Sequence, residues 1–140
     1  MRQIMQATCI LAAAAGPAAA AMEWQQTVMR GLETYTLSND GQSGATLLCD
    51  PNRVFGGTSN ASLVVTMPND PDPSVVVLLA STGEQAALQL VDGRAIEKDT
   101  DPVEWLQMVE IIRGGGTFAF VTGDDAMQFD GVASLPDLAC

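Results

Sequence analysis

Carboxylates are the only potentially reactive side chains present at any density: 17 acids face 6 bases among 140 residues, and there is no histidine. Three clusters could offer oxygen ligands to Ca²⁺: Asp70 with Asp72, Asp99 with Asp101, and Asp124 with Asp125 and Asp130. None carries the loop pattern of an EF-hand. Each also has a simpler reading, since Asp70 and Asp72 punctuate a proline-rich turn, Asp101 can cap a helix, and Asp124-Asp125 suits a hairpin tip. Paired carboxylates could run glycoside hydrolysis, but that chemistry needs a fixed separation and one raised pKa. With so many acids, some pair always fits on paper.

Other chemistries are excluded more firmly. Without histidine there is no Ser-His-Asp or Cys-His nucleophile, no imidazole metal site and no ordinary neutral-pH proton shuttle. Gly41-Gln42-Ser43-Gly44 falls short of a nucleophile elbow, and Lys98, the only lysine, has no Ser-x-x-Lys partner. Gly114-Gly115-Gly116 ends a helical pattern instead of opening one, so it is no phosphate loop. A net charge of −11 repels a phosphate backbone and argues against nucleic acid as a partner. Trp105 belongs to an apolar helix face, Tyr35 to a run of strand formers, and Trp24 is expected to be partly exposed. Asn60-Ala61-Ser62 matches a glycosylation triplet, a pattern common by chance.

Met1–Ala21 has the three parts of a secretory signal peptide: Arg2, an apolar run from Ile4 to Ala15, and small residues at Ala18–Ala21 after Gly16-Pro17. Pro17 and the short apolar stretch argue against a membrane anchor, and no second long apolar run follows. Cleavage after Ala20 or Ala21 would remove Arg2 and Cys9, leaving 17 acids against 5 bases, a net of −12. Cys49 and Cys140 then remain for an oxidising compartment, periplasmic or extracellular. They lack a C-x-x-C spacing or a nearby cation cluster, so a structural disulfide is expected over a reactive thiol pair or an intermolecular bridge. On the chain-entropy account such a long loop is worth about 4–5 kcal/mol.

The elements that must position these groups are short strands separated by turns. Trp24–Val28 pairs with Glu33–Leu37 around Met29-Arg30-Gly31; Ala45–Cys49, Ala61–Met67 and Ser74–Ala80 follow as further strands. The prolines at 68, 71 and 73 belong to a surface loop between the last two. Ala86–Val91 and Arg94–Ile96 form the clearest hairpin, around Asp92-Gly93 in a two-residue turn. Asp101, Pro102 and Glu104 give a capping-box-like start to a helix over 102–113, with Trp105, Leu106, Val109 and Ile112 on its apolar side. The Gly114–Gly116 run stops it. Thr117–Val121 and Ala126–Asp130 form a last hairpin that buries Phe118, Phe120, Met127 and Phe129 on one face.

The C-terminal end, with Phe129, Gly131, Leu135, Leu138 and Cys140 after the helix and strand, resembles small periplasmic proteins of the invasion-associated locus B kind and of the type VI secretion-associated VasI kind. Val132 and Pro136 depart from that outline. The resemblance covers about 40 residues and implies a disulfide-pinned, mostly-β periplasmic module without an established catalytic site, Cys49 being the partner of Cys140.

Together these observations predict a leader over 1–21 and one mainly-β domain over 22–140. The domain is expected to be an antiparallel sandwich or curled sheet with one helix and one Cys49–Cys140 bridge. No residue is assigned as catalytic, metal-ligating or cofactor-binding, and no membrane span is expected in the mature chain. The expected role is a non-catalytic periplasmic or secreted binding module for a cationic protein or envelope component, with a contiguous acidic patch near Pro68–Pro73 or Gly123–Ala126. A histidine-free hydrolase with paired carboxylates and a Ca²⁺-binding envelope protein are the alternatives.

Overall fold

Period-two alternation of buried and open side chains organises nine strands into two antiparallel sheets, as seen in a computed structural model that describes residues 22–51, 53 and 61–140. The segment expected to be a leader, 1–21 with Cys9, and Asn60 of the glycosylation-like triplet lie outside the described residues. The first sheet has the order β1 (Gln25–Met29), β2 (Leu32–Leu37), β3 (Gly44–Cys49), β4 (Ser62–Thr66) and β7 (Arg94–Ile96). The second has the order β6 (Gln85–Gln89), β5 (Val75–Ala80), β8 (Gly116–Val121) and β9 (Ala126–Val132). Leu37, Leu47 and Leu63 from one sheet join Val76, Leu78, Phe118, Phe120 and Phe129 from the other in a common core. The three phenylalanine rings meet edge-on or tilted at centroid distances of 6.0–6.2 Å, the arrangement their quadrupoles favour.

The mainly-β fold, the helix and the bridge thus agree with expectation, and three local readings need correction. First, Asp92 and Gly93 do form a two-residue turn with positive φ (53° and 74°), closed by paired bonds between Val91 and Arg94. The arms then part, because the Leu90 N–H donates to Ser74 O while the Val65 N–H donates to Gly93 O. β6 joins β5 and β7 joins β4, so the expected hairpin is a corner between the sheets. Second, Leu106 is 60% exposed, whereas Met108 and Ile111 are buried with Trp105, Val109 and Ile112. The buried face of α1 (Pro102–Gly114) packs against β6 and β5.

Third, the helix start is only half a capping box. Asp101 accepts from the Val103 and Glu104 N–H groups as an N-cap should, and Pro102 follows it. Glu104 instead turns outward and accepts the Ala87 N–H of β6 at 2.8 Å. At the far end, Gly115 (φ 69°) is required: a Cβ there would lie 2.5 Å from Val132 O. No helix among the described residues is long and apolar enough to cross a membrane.

Candidate functional site

The chemically richest corner is assembled by two pairings and a covalent bond. The β1–β2 register sets Gln26 opposite Tyr35, and the β2–β3 register sets Glu33 opposite Cys49. Alternation along β2 places Glu33, Tyr35 and Leu37 on one face, with Leu37 and Tyr35 buried and Glu33 half-buried at the rim. The Tyr35 hydroxyl donates to Glu33 Oε2 at 3.0 Å and accepts from Gln26 Nε2 at 3.3 Å.

Cys49 and Cys140 are bonded, with Cα atoms 4.9 Å apart and 91 positions between them in sequence. The bridge carries residues 135–139 to the same corner. Arg113 latches that tail twice: its carbonyl accepts the Leu135 N–H at 2.9 Å and its Nη2 donates to Leu138 O at 2.8 Å. The result is a depression of about 470 Å³, walled by Gln26, Glu33, Tyr35 and Pro51 on one side and by the tail with Asp137 on the other.

Its electrostatics show in the phenol. Burial, the hydrogen bond to Glu33 and the negative charges of Glu33 and Asp137 push Tyr35 up from 10.0 to about 12. Each of these effects disfavours phenolate, and the two carboxylates would correspondingly favour a positive group placed beside the ring. The arrangement provides anionic and hydrogen-bonding groups around a partly apolar floor, which suits a cation carried on an aliphatic stem.

The expected acidic clusters fall elsewhere. Asp125 accepts the Asn69 N–H at 2.7 Å and the Ala126 N–H, which hold its carboxyl below the usual range, while Asp70 accepts the Thr122 hydroxyl at 2.8 Å. These contacts staple the Pro68–Pro73 loop to the β8–β9 turn, and Asp70, Asp72 and Asp124 border a depression of about 310 Å³ there. Asp99 belongs to a single 3-10 turn with Lys98, Asp101 is the helix cap, and Asp130 accepts the Gln128 side chain. Among the described residues, no three Asp, Glu or Cys groups converge as metal ligands would.

Ser43 is likewise structural. Its N–H and hydroxyl and the Gln42 N–H all serve Asp40, whose carboxyl is held down at about 2. Trp105 is core, as expected, but Trp24 is 6% exposed and belongs to the core as well. A larger depression of about 720 Å³ where β6 and β7 diverge combines Arg94 with Asp92 and Asp99, so it lacks the single sign of the Tyr35 corner.

No local sequence pattern singles out Glu33, Gln26 or Asp137, and Tyr35 reads in sequence as a strand former. The usable signal was the bridge itself, because Cys49 faces Glu33 across the β2–β3 ladder and Asp137 lies three residues before Cys140. Comparison with protein-family models, with curated proteins and with solved structures finds no match to this chain.

Proposed function

We propose that this chain is an exported, non-catalytic binding module, periplasmic or secreted, that holds a cationic group of another protein or envelope component. The observation that carries the reading is the Glu33–Tyr35–Asp137 depression. The net charge of −11 adds long-range attraction for a cationic partner. The leader-like Met1–Ala21 segment supports export, and the C-terminal resemblance to periplasmic proteins supports the same compartment.

The chain has one tyrosine, so its ultraviolet titration reports this corner alone. The free protein should titrate near pH 12. N-acetyl-arginine amide, which stays protonated there, should lower that midpoint by offsetting the carboxylates, and Glu33→Gln with Asp137→Asn should lower it and remove the response to the probe. A midpoint indifferent to the probe, with no probe-dependent chemical-shift change near Tyr35 at neutral pH, would overturn the reading. The same shift has a stability consequence. Folding favours the neutral phenol, so this contribution is complete below pH 10 and is lost as pH rises toward 12.

A second reading, hydrolysis by paired carboxylates, is favoured by one observation: Glu33 and Asp137 share a depression. Glycan cleavage that disappears in Glu33→Gln would establish it, and its absence with binding retained leaves the binding module alone.

A further inference from the structure

We propose that β1 is a strand-addition edge, and that an extended segment of a partner protein pairs with it and directs an arginine or lysine side chain into the Tyr35 corner; this rests on the cation-binding reading above. The two sheets have four edge strands, β1 and β7 in one and β6 and β9 in the other. At β6, Glu104 accepts the outward Ala87 N–H. At β9, Met22 bridges Val132 in parallel and accepts the Ala133 N–H at 2.7 Å. β7 is only three residues long and runs directly into a 3-10 turn.

β1 differs from all three. It has five residues, Gln25-Gln26-Thr27-Val28-Met29, all exposed and none charged, and among the described residues it pairs only with β2. It has no proline and no bulge, the devices that usually blunt an edge. Val28 and Met29 are 66% and 63% exposed.

The ladder also says which groups are open. Arg30 and Gly31, with φ of 54° and 80°, form a two-residue turn, which makes Met29 and Leu32 a bonded pair. Bonded and non-bonded pairs alternate in an antiparallel ladder, so the N–H and C=O groups of Gln26 and Val28 point away from β2. Gln26 therefore serves both features: its backbone faces the open edge while its side chain binds the Tyr35 hydroxyl. A residue of the added strand opposite Gln26 lies on the face shared by Gln26 and Tyr35. From there a long basic side chain extends across Gln26 toward Glu33 and Asp137. A second copy of this chain is the poorer occupant, because each copy carries −11.

Four probes test this against the intact chain: acetyl-Thr-Val-Arg-Val-Thr-amide, its alternately N-methylated form, its Arg-to-Gln counterpart, and N-acetyl-arginine amide. The arginine pentapeptide should bind at least about tenfold more tightly than N-acetyl-arginine amide. It should also slow hydrogen exchange at the Gln26 and Val28 amides. Val28→Pro removes one outward donor without touching the β2 ladder, and it should bring the pentapeptide down to the affinity of N-acetyl-arginine amide while leaving binding of the latter unchanged. If that variant does not fold, the N-methylated peptide tests the same bonds from the ligand's side. Equal binding of the methylated and unmethylated peptides would overturn strand addition and leave the cation reading standing. Protection of Gln26 and Val28 by the glutamine peptide, with neither arginine probe preferred, would support the edge and overturn the cation reading. A dimer in sedimentation that Val28→Pro dissociates would overturn the choice of occupant.

Discussion

Two edge strands of similar length, β6 in one sheet and β1 in the other, are finished in opposite ways. Along β6 the helix lies close by, and Glu104 turns away from its own capping role to occupy the Ala87 N–H. Along β1 no described group does the equivalent, and five uncharged residues remain exposed. The difference teaches where the molecule spends its charge. A carboxylate closes the edge beside the helix, whereas the carboxylates near β1, Glu33 and Asp137, stand behind the edge and around a depression. An edge strand ordinarily needs a charge, a bulge or a cover to resist pairing. β6 has a cover and β1 has an invitation.

Removing the bridge should break the contrast most severely. Cys49→Ala with Cys140→Ala leaves the tail that walls the β1 corner held only by Arg113 and should cost about 4 kcal/mol in denaturant unfolding. Tyr35 should then titrate slightly lower than in the intact protein, because burial and Glu33 still raise it while the smaller contribution of Asp137 is loosened, so the same variant can be read by absorbance. At the sealed edge, Glu104→Ala leaves the Ala87 N–H to solvent and should cost about 1–2 kcal/mol, with faster hydrogen exchange at Ala87 than at its neighbours. The smallest effect belongs to the open edge. Val28→Lys replaces an exposed side chain and should change stability by less than about 0.5 kcal/mol while suppressing any strand addition through a charge at the edge. A large stability loss in Val28→Lys would mean that β1 is covered after all, and the contrast with β6 would dissolve.

Much of the architecture was legible because it is written in local patterns. The Arg30-Gly31 turn, the β8–β9 hairpin and the Asp101-Pro102 helix start all follow from residues within a few positions of one another. The bridge followed from having only two cysteines beyond the leader-like segment 1–21. The misreadings arise where a distant partner outcompetes the local one. Asp92-Gly93 forms its turn, but Ser74 and Val65 claim the backbone groups on either side and pull the arms into separate sheets. Glu104 has a local acceptor role available and takes Ala87 instead. Leu106 keeps helical spacing with Trp105 and Val109 yet faces solvent, because β6 and β5 select a face centred nearer Met108 and Ile112. The candidate site was invisible for the same reason: Glu33 and Asp137 meet only through a cross-strand register combined with a covalent bond.

The corner at Asp92-Gly93 has a kinetic consequence. β1 through β4 form a meander that strands consecutive in sequence can build from neighbouring hairpins, and β5 with β6 can do the same in the other sheet. β7 belongs to neither episode, since it must carry the chain back across the core and find β4 after the β5–β6 hairpin has intervened. Closing that loop delays the reward of its contacts, as non-local pairings do in general. The tight turn shortens the search by bringing Arg94 round beside Val91 before β4 is met. A two-residue turn thereby shortens the search that joins β7 to the first sheet.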